Sequence, residues 1–210
     1  MQKMEILNQF GVVPIDYGVL ASELATYKSP RQKIVELEKE GSIIRLKRGM
    51  YVVSPKISGK LLSIELIANH IYGPSYVSME SALRYYGLIP EKTYNTDSMT
   101  IKRSRKFDNA IARFNYTYCP ASYYTIGVEQ VMREGFSFLI ASPEKALCDV
   151  IIYTPQLRLR SMISLQEYLA DDLRLDMDEF FKMDISVFEQ CVVQNMKSEE
   201  LNNIIKLLRQ

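Results

Sequence analysis

The sequence predicts an α+β chain in two parts, and three observations carry that prediction. Residues 1–60 hold short helix signals that run into a basic hairpin. The middle of the chain switches between helical and strand periods, and residues 161–210 return to helix signals on an acidic background. A length of 210 residues fits one large domain or two small ones, at about 100–200 residues each. The expected bounds are residues 1–54 and 61–210. An apolar share of 47% and a charged share of 24% are those of a globular chain, which argues against disorder.

In the first part, Glu5 to Phe10 reads as a helix stopped by Gly11, and Asp16 to Leu24 as a second, with Val19, Leu20 and Leu24 on one side. The third helix has both ends written into its sequence. Ser29 is a good N-cap, Pro30 suits the first helical position, Gln32 completes an S-x-x-Q capping box, and Gly41 supplies a left-handed stop. Two β-rich runs, Ile43–Leu46 and Met50–Val53, then flank the turn Lys47-Arg48-Gly49, which signals a hairpin. Ile44 and Leu46 share one face, so Arg45 takes the other. Three short helices followed by a basic-tipped hairpin is the order of an N-terminal winged helix-turn-helix.

Such a module recognises DNA by shape and charge. A helix enters the major groove and reads base edges, while flanking Lys and Arg neutralise phosphates. At about 100° per residue, Ile34, Leu37 and Gly41 fall on the buried side of the third helix and Gln32 and Glu36 on the opposite side. Arg31 and Lys33 lie on its flanks. Gln32 is therefore assigned to bases, and Arg31 and Lys33 to phosphates. Lys28 and Ser29 at the helix start, with Arg45, Lys47 and Arg48 on the hairpin, complete the candidate DNA-binding set. The competing reading is a protein-interaction module whose winged helix does not bind DNA.

After a linker-like stretch at Ser54–Gly59, Leu61–Ile71 and Met79–Tyr86 carry helical spacing. Met99–Ile101, Ala112–Tyr118 and Phe136–Ile140 alternate as strands. Ser142 and Pro143 open another helix as cap and first residue. Lys102, Arg103, Arg105 and Lys106 form the densest charge run, a possible second basic surface. Read as extended, it puts Lys102 and Lys106 on one face and Arg103 and Arg105 on the other. In the tail, Ser164 with Glu167 and Ser186 with Glu189 read as capping boxes. Leu201, Ile204, Ile205 and Leu208 form a helical stripe, either packed on its own domain or open to a dimer or toxin partner.

Charge divides the chain more than its formal +1 suggests. Residues 1–60 hold 10 Lys/Arg against 6 Asp/Glu, and residues 161–210 hold 5 against 10. Different ends meeting different partners is one reading; acids solvating helix faces is the other. No P-loop, G-x-G-x-x-G or H-E-x-x-H is present, and His70 has no nucleophile or acid at motif spacing, so no enzyme is expected. The run Ser142-Pro143-Glu144-Lys145 is accounted for as a helix cap, and Cys148 as a buried structural thiol. Cys119, Cys148 and Cys191 are too few and scattered for a disulfide framework or zinc site, and no cofactor is expected. No apolar run nears the roughly 18–20 residues of a membrane span, and no signal peptide core follows Met1. A cytoplasmic protein is the expectation.

Four stretches carry a family resemblance: R-L-K-R-G-M-Y at Arg45–Tyr51, I-Y-G-P-S-Y-V-S-M-E-S-A-L at Ile71–Leu83, Y-G-L-I-P-E at Tyr86–Glu91, and I-A-S-P-E-K-A-L at Ile140–Leu147. In these the chain resembles the AbiEi-type antitoxins and transcriptional regulators of bacterial abortive-infection toxin–antitoxin systems. The resemblance implies a winged-helix domain followed by an α+β antitoxin domain with a helical tail. It also implies repression of the protein's own operon and action against a nucleotidyltransferase-like toxin. The partners it implies are double-stranded promoter DNA and that toxin, with a homodimer on DNA as one arrangement. Beyond Tyr153 the sequence matches no part of this pattern.

Overall fold

The computed structural model describes residues 6–90 and 95–209, and the chain is a mixed α+β protein with two sheets. Glu5 and Glu91, each part of an expected element or motif, lie outside the described residues. Residues 6–8 are helical and the turn after them passes through Gly11, whose φ of +54° suits glycine. The first part continues through β1 (Ile15–Asp16), α1 (Tyr17–Glu23), α2 (Pro30–Lys39), β2 (Ile43–Lys47) and β3 (Met50–Val53). Its sheet is antiparallel, in the order β1-β3-β2. Leu20, Leu24, Ile34, Leu37, Ile43 and Val53 fill a small core between helices and sheet. Val19 is a correction: Leu20 on α1 and Leu24 at its C-cap are buried, which turns Val19 outward at 51% exposure.

The hairpin is buried on both faces. Ile43, Tyr51 and Val53 point into the small core, whereas Ile44, Leu46, Met50 and Val52 face the larger core of the second part. Alternation along a strand makes this possible, and all four residues of β3 are buried. A bulge at Leu46 shifts the register, so that Arg45 opposes Tyr51 while Lys47 opposes Met50. The linker-like stretch Ser54–Gly59 is itself ordered as one helical turn, α3 (Pro55–Ser58). Ser54 caps it, Gly59 ends it at φ +65°, and Ile57 packs on the small core.

The second part is built on a six-stranded mixed sheet. Its strands are β4 (Ser75–Val77), β5 (Asn95–Thr100), β6 (Arg105–Asp108), β7 (Arg113–Tyr118), β8 (Val128–Arg133) and β9 (Phe136–Ala141), in the order β6-β7-β5-β4-β9-β8. β4 and β5 are central, and their neighbours β9 and β7 run parallel to them. The helices are α4 (Ile64–Ile71), α5 (Met79–Tyr85), α6 (Ala121–Tyr124) and α7 (Pro143–Tyr153). The charge run at Lys102–Lys106 is not extended throughout: Lys102–Ser104 turn, and only Arg105 onward joins β6.

The tail adds α8 (Met162–Glu167), α9 (Met177–Phe180), α10 (Ile185–Val192) and α11 (Ser198–Leu208). Both expected capping boxes are displaced. Ser161 rather than Ser164 caps α8, with Ser164 as its reciprocal partner, and Asp184 rather than Ser186 caps α10. Each helix therefore starts earlier than the serine that seemed to open it. The stripe Leu201, Ile204, Ile205 and Leu208 of α11 packs on the domain's own core.

A charged centre lies inside that core. Lys145 and Asp149, one turn apart on α7, are both wholly buried and paired at 2.9 Å. The Asp149 carboxylate also accepts hydrogen bonds from Tyr123 (2.6 Å), Ser78 (2.6 Å) and Tyr76 (3.1 Å). The Lys145 ammonium sits 3.0 Å from the centroid of the Tyr123 ring. Burial first, and then the Asp149 charge, push the Tyr76 and Tyr123 hydroxyls far above their ordinary range, so both stay protonated donors. A helix cap thus accounts for Ser142 but not for Lys145, whose side chain turns into the core. Asp149→Ala strands a buried ammonium and three hydroxyls, and is expected to cost about 3–5 kcal/mol. A urea titration followed by circular dichroism checks this; a loss below 1 kcal/mol would mean that the centre is not needed for stability.

Candidate nucleic-acid interface

The exposed face of α2 is fixed by its ends and its core side. Ser29 Oγ accepts the Gln32 N–H at 3.4 Å, and Pro30 needs no partner at the first position. At the far end Gly41, at φ +70°, reverses the chain, and Ser42 N–H reaches back to the Leu37 carbonyl at 2.9 Å. Ile34 and Leu37 are buried, which leaves Arg31, Gln32, Val35 and Glu36 outward. The capping box is one-sided. Gln32 gives its backbone to the cap, and among the described residues its side-chain amide has no hydrogen bond.

The hairpin turn stands beside this face. Gly49 adopts φ +79°, and its carbonyl accepts the Tyr17 N–H at 2.8 Å, tying the turn to the start of α1. Between α2 and the hairpin lies a groove of about 490 Å³, lined by Arg31 and Val35 on the helix, Arg45 and Arg48 on the hairpin, and Tyr17. On the other flank of α2, Lys28, Ser29, Gln32 and Lys33 line a groove of about 420 Å³ with Tyr27 and Glu36. The helix is a ridge between two grooves, and seven of the eight expected DNA-binding residues border one or the other.

Their charges are not equally available. Lys33 pairs with Glu36 at 2.9 Å, a bond that raises its pKa, and Arg45 pairs with Glu38 at 2.6 Å while lying over the Tyr51 ring. Lys28, Arg31 and Arg48 have no such partner among the described residues. Lys47 departs from expectation. It is no free cation at a tip, because its ammonium donates to the Ile71 carbonyl at the end of α4, 2.7 Å away. It helps bolt the hairpin to the second part.

Lys47 and Arg48 also border a further groove of about 510 Å³, together with His70, Tyr72, Lys102 and Arg105. The turn at Lys102–Ser104 brings Lys102 and Arg105 to one place, against the extended reading that separates them. Lys106 instead lines a groove with Asn95, Arg113 and Asn115, and Arg103 is exposed. The sequence reasoning missed Val35, which is 41% exposed on an otherwise polar face. Its signal was available: a β-branched apolar residue one helical turn after Arg31, off the buried side. Tyr17 and Tyr51 gave no comparable signal.

Among the described residues no cluster of His, Cys, Asp or Glu could hold a metal ion, and no helix is long and apolar enough to cross a membrane. No family model matches the chain, and no curated protein matches it. The fold is similar to that of the RV2827C protein from Mycobacterium tuberculosis, a solved crystal structure. The two share 12% identity with a TM-score of 0.53 over 97% of this chain and 76% of that one.

The two turn residues are expected to behave differently on replacement. Lys47→Ala leaves the Ile71 carbonyl without its charged donor and should cost stability near the lower end of the ~1.5–3 kcal/mol such bonds carry. Arg48→Ala, on an exposed residue, should change it by no more than about 0.5 kcal/mol. Thermal melts of both variants decide the matter. Equal, small shifts would show that Lys47 does not hold the hairpin.

Proposed function

We propose that this chain is a sequence-specific DNA-binding transcriptional regulator of the winged-helix type. We propose further that it is the antitoxin of a toxin–antitoxin pair, repressing its own operon and counteracting a nucleotidyltransferase-like toxin. The observation that carries the DNA reading is the outward face of α2 beside the hairpin. Unpartnered Arg31 and Arg48 flank a groove while the free amide of Gln32 and the methyls of Val35 occupy the helix ridge. These are the groups direct readout uses: guanidinium for phosphate or guanine, amide for adenine, and methyl for the thymine methyl. Arg45 and Lys33, held by Glu38 and Glu36, serve better as positioned edges of that surface than as free phosphate ligands. In this reading the chain performs no catalysis, works in the cytoplasm and meets double-stranded DNA, alone or as two copies.

The antitoxin part rests on the resemblance at Ile71–Leu83 and Ile140–Leu147, which lies outside the helix–hairpin module. The second reading, an interaction module without DNA, is favoured by the acids on the α2 side, since Glu36 and Glu38 lower its net charge.

A gel shift on DNA upstream of the gene, against scrambled competitor, tests the regulator. Arg31→Ala/Arg48→Ala should weaken binding to every sequence and flatten the slope of log affinity against log salt by roughly 1.8 per protomer, at about 0.9 per phosphate. Gln32→Ala and Val35→Ala should instead change discrimination between sites by about 1–3 kcal/mol. Absence of any specific shift favours the interaction module. For the antitoxin, the full-length Arg31→Ala/Arg48→Ala chain is the right reagent, because Leu46, Met50 and Val52 complete the larger core and a fragment starting at Leu61 would lack them. It should still rescue growth against the neighbouring toxin. Loss of rescue together with loss of repression would sink the two-function reading.

A further inference from the structure

We infer that the groove between the hairpin turn and the β5–β6 loop is a second phosphate-binding surface, which takes the sugar–phosphate backbone of the same DNA duplex. This inference rests on the DNA reading of α2 and extends the contact into the second part of the chain. Lys47, Arg48, Lys102, Arg105 and His70 line the groove, and among the described residues no Asp or Glu does.

The cations there are held in place without being neutralised. Lys47 and Lys102 are anchored on the carbonyls of Ile71 and Gly73, where α4 ends. Arg105 lies 5.0 Å from the centroid of the Phe107 ring and 5.9 Å from that of Tyr72. Tyr72 in turn donates its hydroxyl to the Arg103 carbonyl at 3.2 Å, which fixes the loop. A guanidinium stacked on rings keeps its in-plane N–H edge free for a phosphate, and carbonyl anchors cancel only part of an ammonium charge.

The occupant follows from continuity. Arg48 lines both this groove and the one beside α2, so one polyanion lying along the hairpin meets both. A duplex offers phosphates at regular spacing on either side of a groove-inserted helix, which a free nucleotide does not.

The test compares two single charge removals on neighbouring residues of β6 in the full chain. Arg105→Gln removes a groove cation; Lys106→Gln removes the same charge outside the groove. Affinity for the upstream duplex is measured over a salt series, with melting curves to confirm folding and an RNA duplex as a parallel probe. Arg105→Gln should flatten the salt slope by roughly 0.9 and Lys106→Gln should leave it unchanged, at one phosphate per lost contact. Arg105→Lys should retain most of the slope. If the wild type binds DNA and all slopes are equal, the second surface is overturned and the α2 reading stands. Equal losses for Arg105→Gln and Lys106→Gln would reduce the effect to general charge and also overturn it. If no chain binds DNA, the α2 reading fails and this inference fails with it. Loss confined to the RNA duplex would overturn it in favour of RNA.

Discussion

The buried pair of Lys145 and Asp149 is the constraint on which the second part of this protein is arranged. Two charges taken out of water are tolerable only if every lone pair and proton finds a partner. Here the partners come from separate places: Tyr76 and Ser78 at the central strand β4, Tyr123 on α6, and both charges on α7. Satisfying the carboxylate therefore fixes the position of α7 on the sheet. Gly127 shows how tight the fit is. A Cβ at that position would stand 2.8 Å from Lys145 Cβ, and its φ of +57° disfavours side chains in any case. The loop before β8 can close on α7 only with glycine there, and its carbonyl takes the Ser142 N–H at 2.8 Å.

From that platform the hairpin is positioned in turn. β2 and β3 give one face to the small core and the other to the large one, so they cannot shift relative to either without opening apolar surface. The Lys47 bond to α4 and the Asn109 amide bond to the Leu46 carbonyl, at 3.0 Å, reinforce the join. The hairpin turn and α2 are thus presented by a rigid base rather than by a freely hinged module. A recognition surface built on packed elements holds its geometry better than one on loops.

Much of the first part was legible because its signals are local. Ser29, Pro30 and Gly41 define α2 by themselves, and the turn at Lys47–Gly49 defines the hairpin. What stayed hidden depends on partners distant in sequence. β1 is two residues long and exists only by pairing with β3. Lys47 looks like a tip cation until the Ile71 carbonyl at the end of α4 accepts its hydrogen bond. Lys145 follows a cap motif, and its inward turn depends on the site that Tyr76, Ser78 and Tyr123, remote in sequence, complete around Asp149. The displaced starts of α8 and α10 have a simpler cause: Ser161 and Asp184 compete with nearby serines for the same role, and spacing alone does not rank them. At the candidate interface the exposed side of α2 was legible but the ion pairs on it were not, since Glu36 and Glu38 claim Lys33 and Arg45 through side-chain geometry.

The opposite charges of the two ends now have different physical origins. In the tail many of the acids hold the fold: Asp176 and Asp184 cap α9 and α10, Glu179 pairs with Lys182, Glu189 with Arg209, and Glu199 with Arg160. Carboxylates at helix starts are stabilising where backbone N–H groups lack partners, so a tail of short helices accumulates them without any external ligand. At the front the uncharged Ser29, Pro30, Gly41 and Gly49 set the ends of α2 and the hairpin turn, and Lys47 bonds the hairpin to α4. Among the described residues the side chains of Arg31 and Arg48 have no partner, and both line the groove beside α2. Those acids of the tail are thus tied into its own helices, whereas among the described residues Arg31 and Arg48 are left without a side-chain partner at the groove beside α2.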